Sequence, residues 1–133
     1  MTEQGLKRLL YHFNASQKLV EEMRDCPELF QDVSALSRYG RQSCQLKFLS
    51  GAMRILSKQE LYVVETRIMD HNTWAETTTM FEKQYGPVNA RSERTLKGVQ
   101  DRALKKMTAF INRMPTGNCF DDENYWKTEK YPV

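Results

Sequence analysis

Two four-residue runs, Ser57-Lys58-Gln59-Glu60 and Thr73-Trp74-Ala75-Glu76, share the pattern S/T-x-x-E. In that pattern the hydroxyl accepts from the third helical N–H and the glutamate reaches back to the cap N–H, so each run marks a helix start. Starts this close together leave room only for short helices. The first is predicted to reach about Asp70 with Leu61, Val64 and Ile68 inward, and the second about Tyr85 with Ala75, Thr78, Phe81 and Tyr85 inward. Gly86-Pro87 then ends the second helix, because glycine accepts a left-handed conformation and proline cannot continue the hydrogen-bond ladder. After Val88-Asn89-Ala90-Arg91, Ser92 is a natural N-cap for a long last helix. Its Leu96, Val99, Ala103, Met107 and Phe110 or Ile111 recur as one apolar stripe.

The first half of the chain is helical by the same periodicity. Between Thr2 and Arg24 the residues Leu6, Leu9, Leu10, Phe13, Val20 and Met23 form one stripe on an otherwise charged helix. Pro27 suits the first turn of a shorter helix carrying Leu29, Phe30, Val33 and Leu36, with Gly40 placed to stop it. A third helix is expected to use Cys44, Phe48, Leu49, Ala52 and Leu56, with Gly51 weakening its helix propensity by about 1 kcal/mol. Beyond Met114-Pro115 no periodicity remains, and Thr116 to Val133 reads as an irregular acidic and aromatic tail. The expected class is all-α, with helical assembly residues 1–55, a helix-turn-helix over 56–113 and a tail over 114–133.

A chain of 133 residues accommodates one compact domain, or a helical arm and one small domain. Its three cysteines include no C-x-x-C pair and only His12 and His71 accompany them, so neither a disulfide framework nor a zinc site is encoded. No apolar run has membrane-spanning length and no signal-peptide core follows the N-terminus, which together suggest a reduced, cytoplasmic protein. Glu60 and Glu65, and the cluster Asp121, Asp122 and Glu123, have no partnering histidine at useful spacing, so capping and solubility are their simplest roles. With no nucleophile motif or phosphate loop, the chain is expected to be neither an enzyme nor a cofactor binder.

The net charge of +3 says little until its distribution is considered. Between Pro87 and Arg113 stand Arg91, Arg94, Lys97, Arg102, Lys105, Lys106 and Arg113 against only Glu93 and Asp101, a local surplus of +5. Opposite the apolar stripe of the last helix the outer face carries Glu93, Arg94, Lys97, Gly98, Asp101, Arg102 and Lys105. A short supporting helix, a glycine turn and a capped second helix with a basic outer face are the parts a helix-turn-helix requires. The simplest alternative is a solvated helix face. Trp74, the first helical residue beside an apolar stripe, reads as a lid on the core, with a groove or partner contact as the alternative.

The order Leu56-Ser57-Lys58-Gln59-Glu60, Val64 to Met69, Thr73-Trp74-Ala75-Glu76, Tyr85-Gly86, Ser92-Glu93-Arg94-Thr95-Leu96 and Arg102-Ala103-Leu104-Lys105-Lys106-Met107 resembles region 4 of bacterial sigma factors. It is also similar to the sigma-region-4-like regulators of phages and prophages of Gram-positive bacteria, the ArpU and RinA type. The resemblance implies that Arg94, Thr95 and Lys97 meet bases or phosphates in the major groove of duplex DNA, with Arg91 and Ser92 touching backbone at the helix entry. Arg94 is the natural donor to guanine, and Asp101 an acceptor from cytosine or a plain surface charge. Arg102 and Lys105 complete the basic face. The chain departs from the family in its link from Gly86 to Ser92, which is longer than the usual two or three residues.

This yields an expected transcription regulator of phage or prophage origin acting in the bacterial cytoplasm, with duplex DNA as partner and an RNA polymerase contact as a further implied one. The N-terminal stripe either folds back on the chain or pairs with its copy, and a homodimer suits two half-sites. Two other classes fit the same pattern: a small terminase-like DNA-packaging subunit, and a sigma-like module that binds only proteins.

Overall fold

The computed structural model describes residues 1–29 and 32–120. The expected inward side chains of Leu29, Phe30, Val33 and Leu36, and the tail from Asp121 onward, lie outside the described part. Among the described residues there are six α-helices and no strand: α1 (Glu3–Tyr11), α2 (Phe13–Asp25), α3 (Val33–Met53), α4 (Lys58–Val63), α5 (Trp74–Tyr85) and α6 (Glu93–Arg113). The protein is all-helical.

Both expected capping boxes are closed. The Glu60 N–H donates to Ser57 Oγ at 3.2 Å and the Ser57 N–H to Glu60 Oε1 at 2.9 Å. The equivalent bonds between Thr73 and Glu76 are both 3.1 Å. Ser92 caps α6 by accepting the Thr95 N–H at 3.2 Å. Losing any one of these caps costs about 0.5–2 kcal/mol.

Three boundaries differ from the sequence reading. The stripe from Thr2 to Arg24 is two helices, divided at His12, whose ψ of 3° leaves the helical region. The Tyr11 carbonyl, which would serve the next turn of a continuous helix, instead accepts from His71 Nε2 at 2.6 Å. Pro27–Leu29 is a single 3-10 turn rather than the head of a helix. Gly40 does not stop a helix either: α3 runs through both Gly40 and Gly51 to Met53. The propensity loss at a glycine is about 1 kcal/mol, and packing of α3 on α2 and α6 outweighs it. At Gly51 a Cβ would lie 3.5 Å from the Phe110 ring, so α3 and α6 run in close contact there.

α4 continues without interruption into a wider-turned segment, Val64–Met69, in which the Asp70 N–H donates to the Glu65 carbonyl five residues back at 2.8 Å. This shift puts Val63 and Val64 both at 0% exposure. They face different cores. Val64 joins the larger one with Leu6, Leu10, Leu49, Ile68, Leu104 and Met107, so residues before and after position 55 share a single apolar interior. Val63 joins a smaller cluster with Phe81, Leu96 and Val99, which holds α5 against α6. Leu61 is half-buried, and on α5 the fully buried threonine is Thr77, while Thr78 is half-buried and Ala75 exposed. Of the two uses expected for the N-terminal stripe, Leu6, Leu9 and Leu10 show the internal one: all three are buried in their own chain.

Gly86 ends α5 at φ 89° and ψ 161°, a region essentially closed to other residues. A Cβ there would meet no atom within 4 Å, so the cost of Gly86→Ala is backbone strain alone. Gly98, inside α6, also has open space for a Cβ. Gly86→Ala is therefore expected to destabilise by about 1–3 kcal/mol, while Gly98→Ala stabilises by about 0.5–1 kcal/mol. Chemical denaturation of the two variants checks the opposite signs.

Candidate nucleic-acid interface

α6 is anchored on one side and, among the described residues, exposed on the other. Leu96, Val99, Gln100, Ala103, Leu104, Met107 and Ile111 are buried, which fixes the opposite face toward solvent. On that face, at helical spacing, stand Arg94, Asp101, Arg102 and Lys105, all exposed. None of the four has an ion pair among the described residues. Arg102 and Lys105 are three apart and so lie side by side. Asp101 sits one turn from Lys105 and locally reduces the positive potential.

The other expected contacts are less free. Ser92 and Thr95 bond each other: their hydroxyl oxygens are 2.9 Å apart and Ser92 Oγ also takes the Thr95 N–H. Both residues are exposed, and the cap itself is the bond from the Thr95 N–H rather than from its hydroxyl. Arg91 is exposed in the link, where its guanidinium donates to the Ala90 carbonyl at 3.1 Å. Lys97 pairs with Glu93 at 3.3 Å, an exposed pair on one helix face worth only about 0.3–0.5 kcal/mol. The eight residues Arg91, Ser92, Arg94, Thr95, Lys97, Asp101, Arg102 and Lys105 are all exposed, and all lie on α6 or its entry.

Lys106 belongs to a different environment. Its ammonium donates to Glu60 Oε1 at 2.9 Å, the same oxygen that closes the capping box of α4. Burial pushes the Glu60 carboxyl up, but hydrogen bonds from Lys106 and from Ser57 outweigh it and hold the carboxyl below its ordinary value. A folded-state value below the unfolded one makes this stabilisation complete above the carboxylate range, and it is lost as pH falls through the folded value. Glu60→Gln is expected to cost about 1.5–3 kcal/mol at neutral pH. Urea midpoints of the variant and the parent should converge on acidification, and a difference that persists at low pH would refute the charge origin.

Trp74 and Arg67 join the surface, and sequence reasoning gives Arg67 no place there. The Arg67 guanidinium carbon lies 4.9 Å from the centroid of the Trp74 ring, and Lys97 Nζ lies 5.8 Å from it. Trp74 is half-buried over the smaller core, so it serves as the expected lid while also meeting two cations. Arg67 reaches it because the chain turns sharply between them. His71 takes a φ of 62°, Asn72 donates through its backbone and side-chain N–H to the Thr66 carbonyl, and Arg67 donates to the Asn72 carbonyl at 3.1 Å. No short motif announces this turn, since it depends on a histidine in a conformation that favours glycine or asparagine.

Among the described residues no group of three metal-ligating side chains occurs, and no helix is long and apolar enough to cross a membrane. The arrangement is thus a convex cationic helix face with an aromatic edge. Positive charge is presented there by a helix whose other side is packed on the core. No family model, curated protein or solved structure matches the chain.

Proposed function

We propose that the chain is a sequence-specific duplex-DNA-binding transcription regulator, encoded by a phage or prophage and acting in the cytoplasm of its bacterial host. In this reading α5, the Gly86–Arg91 link and α6 work as a helix-turn-helix of the sigma-region-4 kind. α6 enters the major groove and Arg94 reads guanine. The observation that carries it is the solvent face of α6, where Arg94, Arg102 and Lys105 are exposed and, among the described residues, without ion pairs, while the opposite face is locked in two apolar clusters. A helix already packed on the core fixes where these cations stand, so contact with phosphate orders their side chains but not the backbone beneath them.

Arg91 and Lys97 flank that face as phosphate contacts, and Arg67 and Trp74 extend it along the start of α5. Each phosphate neutralised contributes roughly −0.9 to the log–log salt slope on duplex DNA. A homodimer or an RNA polymerase contact would use surfaces other than the α1 stripe, which is buried within the chain. The reading is of a binding protein, not an enzyme. Its test is retention of duplex DNA by the parent and by Arg94→Ala combined with Lys97→Ala. Unchanged retention, together with loss of a protein partner, would replace it with the protein-interaction role.

A further inference from the structure

Arg67 is half-buried, yet among the described residues no carboxylate pairs with it, and its Nε is buried without a hydrogen-bond partner. Its contacts are the Asn72 carbonyl, which accepts from Nη1 at 3.1 Å, and the Trp74 ring, 4.9 Å from the guanidinium carbon. A carbonyl and a ring quadrupole only partly offset a charge withdrawn from water. Lys97 Nζ stands 5.8 Å from the same ring, so a second cation shares the indole. Glu93 offsets that one through an exposed pair at 3.3 Å, a weak tie. Three elements meet at this point: the wide-turned segment Val64–Met69 supplies Arg67, the head of α5 supplies Trp74, and α6 supplies Lys97. The result is a local excess of positive charge, arranged around one aromatic ring, that an anion would neutralise.

We propose that Arg67 and Lys97 grip one and the same phosphate of the duplex backbone, with Trp74 as the positioning residue between them. The inference rests on the DNA-binding reading of α6. A guanidinium has several N–H donors and Arg67 gives one to Asn72, so donors remain for a phosphate oxygen. Lys97, exposed and on a long flexible stem, leaves Glu93 to meet the same phosphate. Arg94 stands one turn before Lys97 on the same side of α6. A phosphate held at Lys97 therefore fixes where Arg94 meets the base edges. The grip sets the register of α6 on the duplex, which is what backbone contacts do without reading sequence themselves.

The test compares the full-length parent with Arg67→Gln, Lys97→Ala and their combination on random-sequence duplex, by anisotropy across a salt series. Glutamine keeps a donor for the Asn72 carbonyl and removes the charge. Because one phosphate is shared, each single variant and the combination should all lower the log–log salt slope by the same amount, roughly 0.9. A combined loss of roughly 1.8 would mean two separate phosphates, and an unchanged slope for Arg67→Gln would mean no phosphate at Arg67. Either result overturns the grip while leaving DNA binding by α6 intact. Trp74→Phe, which keeps an aromatic face, should bind as the parent does, whereas Trp74→Leu should bind as weakly as Arg67→Gln. Both are compared at a temperature where circular dichroism shows them folded. Parent-like binding by Trp74→Leu, or equal weakness of the two, overturns the positioning role of the ring. The comparison of Arg67 and Lys97 leaves the core lid untouched, so it decides the shared phosphate even if Trp74→Leu does not fold. If the parent itself does not bind duplex at low salt, the DNA-binding reading of α6 fails and the grip with it.

Discussion

Truncating Phe81 to alanine is expected to destabilise the protein by about 3–5 kcal/mol, read as a lower urea midpoint at nearly unchanged slope. Phe81 is 1% exposed and sits between Tyr62 and Tyr85, at centroid distances of 6.1 and 4.6 Å. Its neighbours in the smaller core are Val63, Leu96 and Val99. That cluster has few members, and two of them are β-branched and stiff, so the site cannot collapse to fill the void. Because this cluster holds α5 against the first turns of α6, hydrogen exchange should rise first in α5 and at the start of α6. Phe81→Leu, which keeps most of the volume, should cost distinctly less. A loss below about 1 kcal/mol for the alanine variant would mean that α5 does not pack on α6 as described.

The second large effect concerns binding. Arg94→Ala is expected to weaken a specific duplex site by about 1–3 kcal/mol, or roughly fivefold to 150-fold, because it removes a bidentate base contact. Lys97→Ala should act on specific and random duplex alike and reduce the log–log salt slope by about 0.9. Lys97 already pairs with Glu93, but an exposed pair of this kind is weak enough for phosphate to displace it. Lys18→Ala is the control: this lysine is exposed on α2, not on α6, and its loss should leave both quantities unchanged. If Lys18→Ala and Lys97→Ala weakened binding equally, the interaction would be diffuse attraction to the whole protein and not a face of α6. Both α6 variants can be checked for folding by thermal denaturation, where surface changes should move stability by no more than about 0.5 kcal/mol.

The parts of the fold visible in the sequence are those set by local chemistry. The boxes at Ser57 and Thr73, the turn at Gly86 and the cap at Ser92 each depend on side chains within a few residues of the backbone groups they satisfy. The stripe of α6 is legible for the same reason, since a 3.6-residue period survives any tertiary arrangement. The break at His12 was not legible, because its cause is an imidazole 60 positions away that takes the Tyr11 carbonyl. Gly40 misled because helix propensity is a small term beside the packing of a long helix. On the candidate interface, exposure of the basic residues followed from the stripe, whereas the inward turn of Lys106 toward Glu60 required knowing that α4 and α6 meet. Arg67 over Trp74 required a left-handed histidine that nothing in the local sequence demands.

The most direct test of the central claim is binding of the full-length chain to random-sequence duplex DNA, followed by fluorescence anisotropy across a salt series. If Arg91, Arg94, Lys97, Arg102 and Lys105 form a phosphate-contacting face, affinity should fall steeply with salt, with a log–log slope of roughly −3 to −5. Absence of binding at low salt, or binding with a slope near zero, would contradict a DNA-contacting α6.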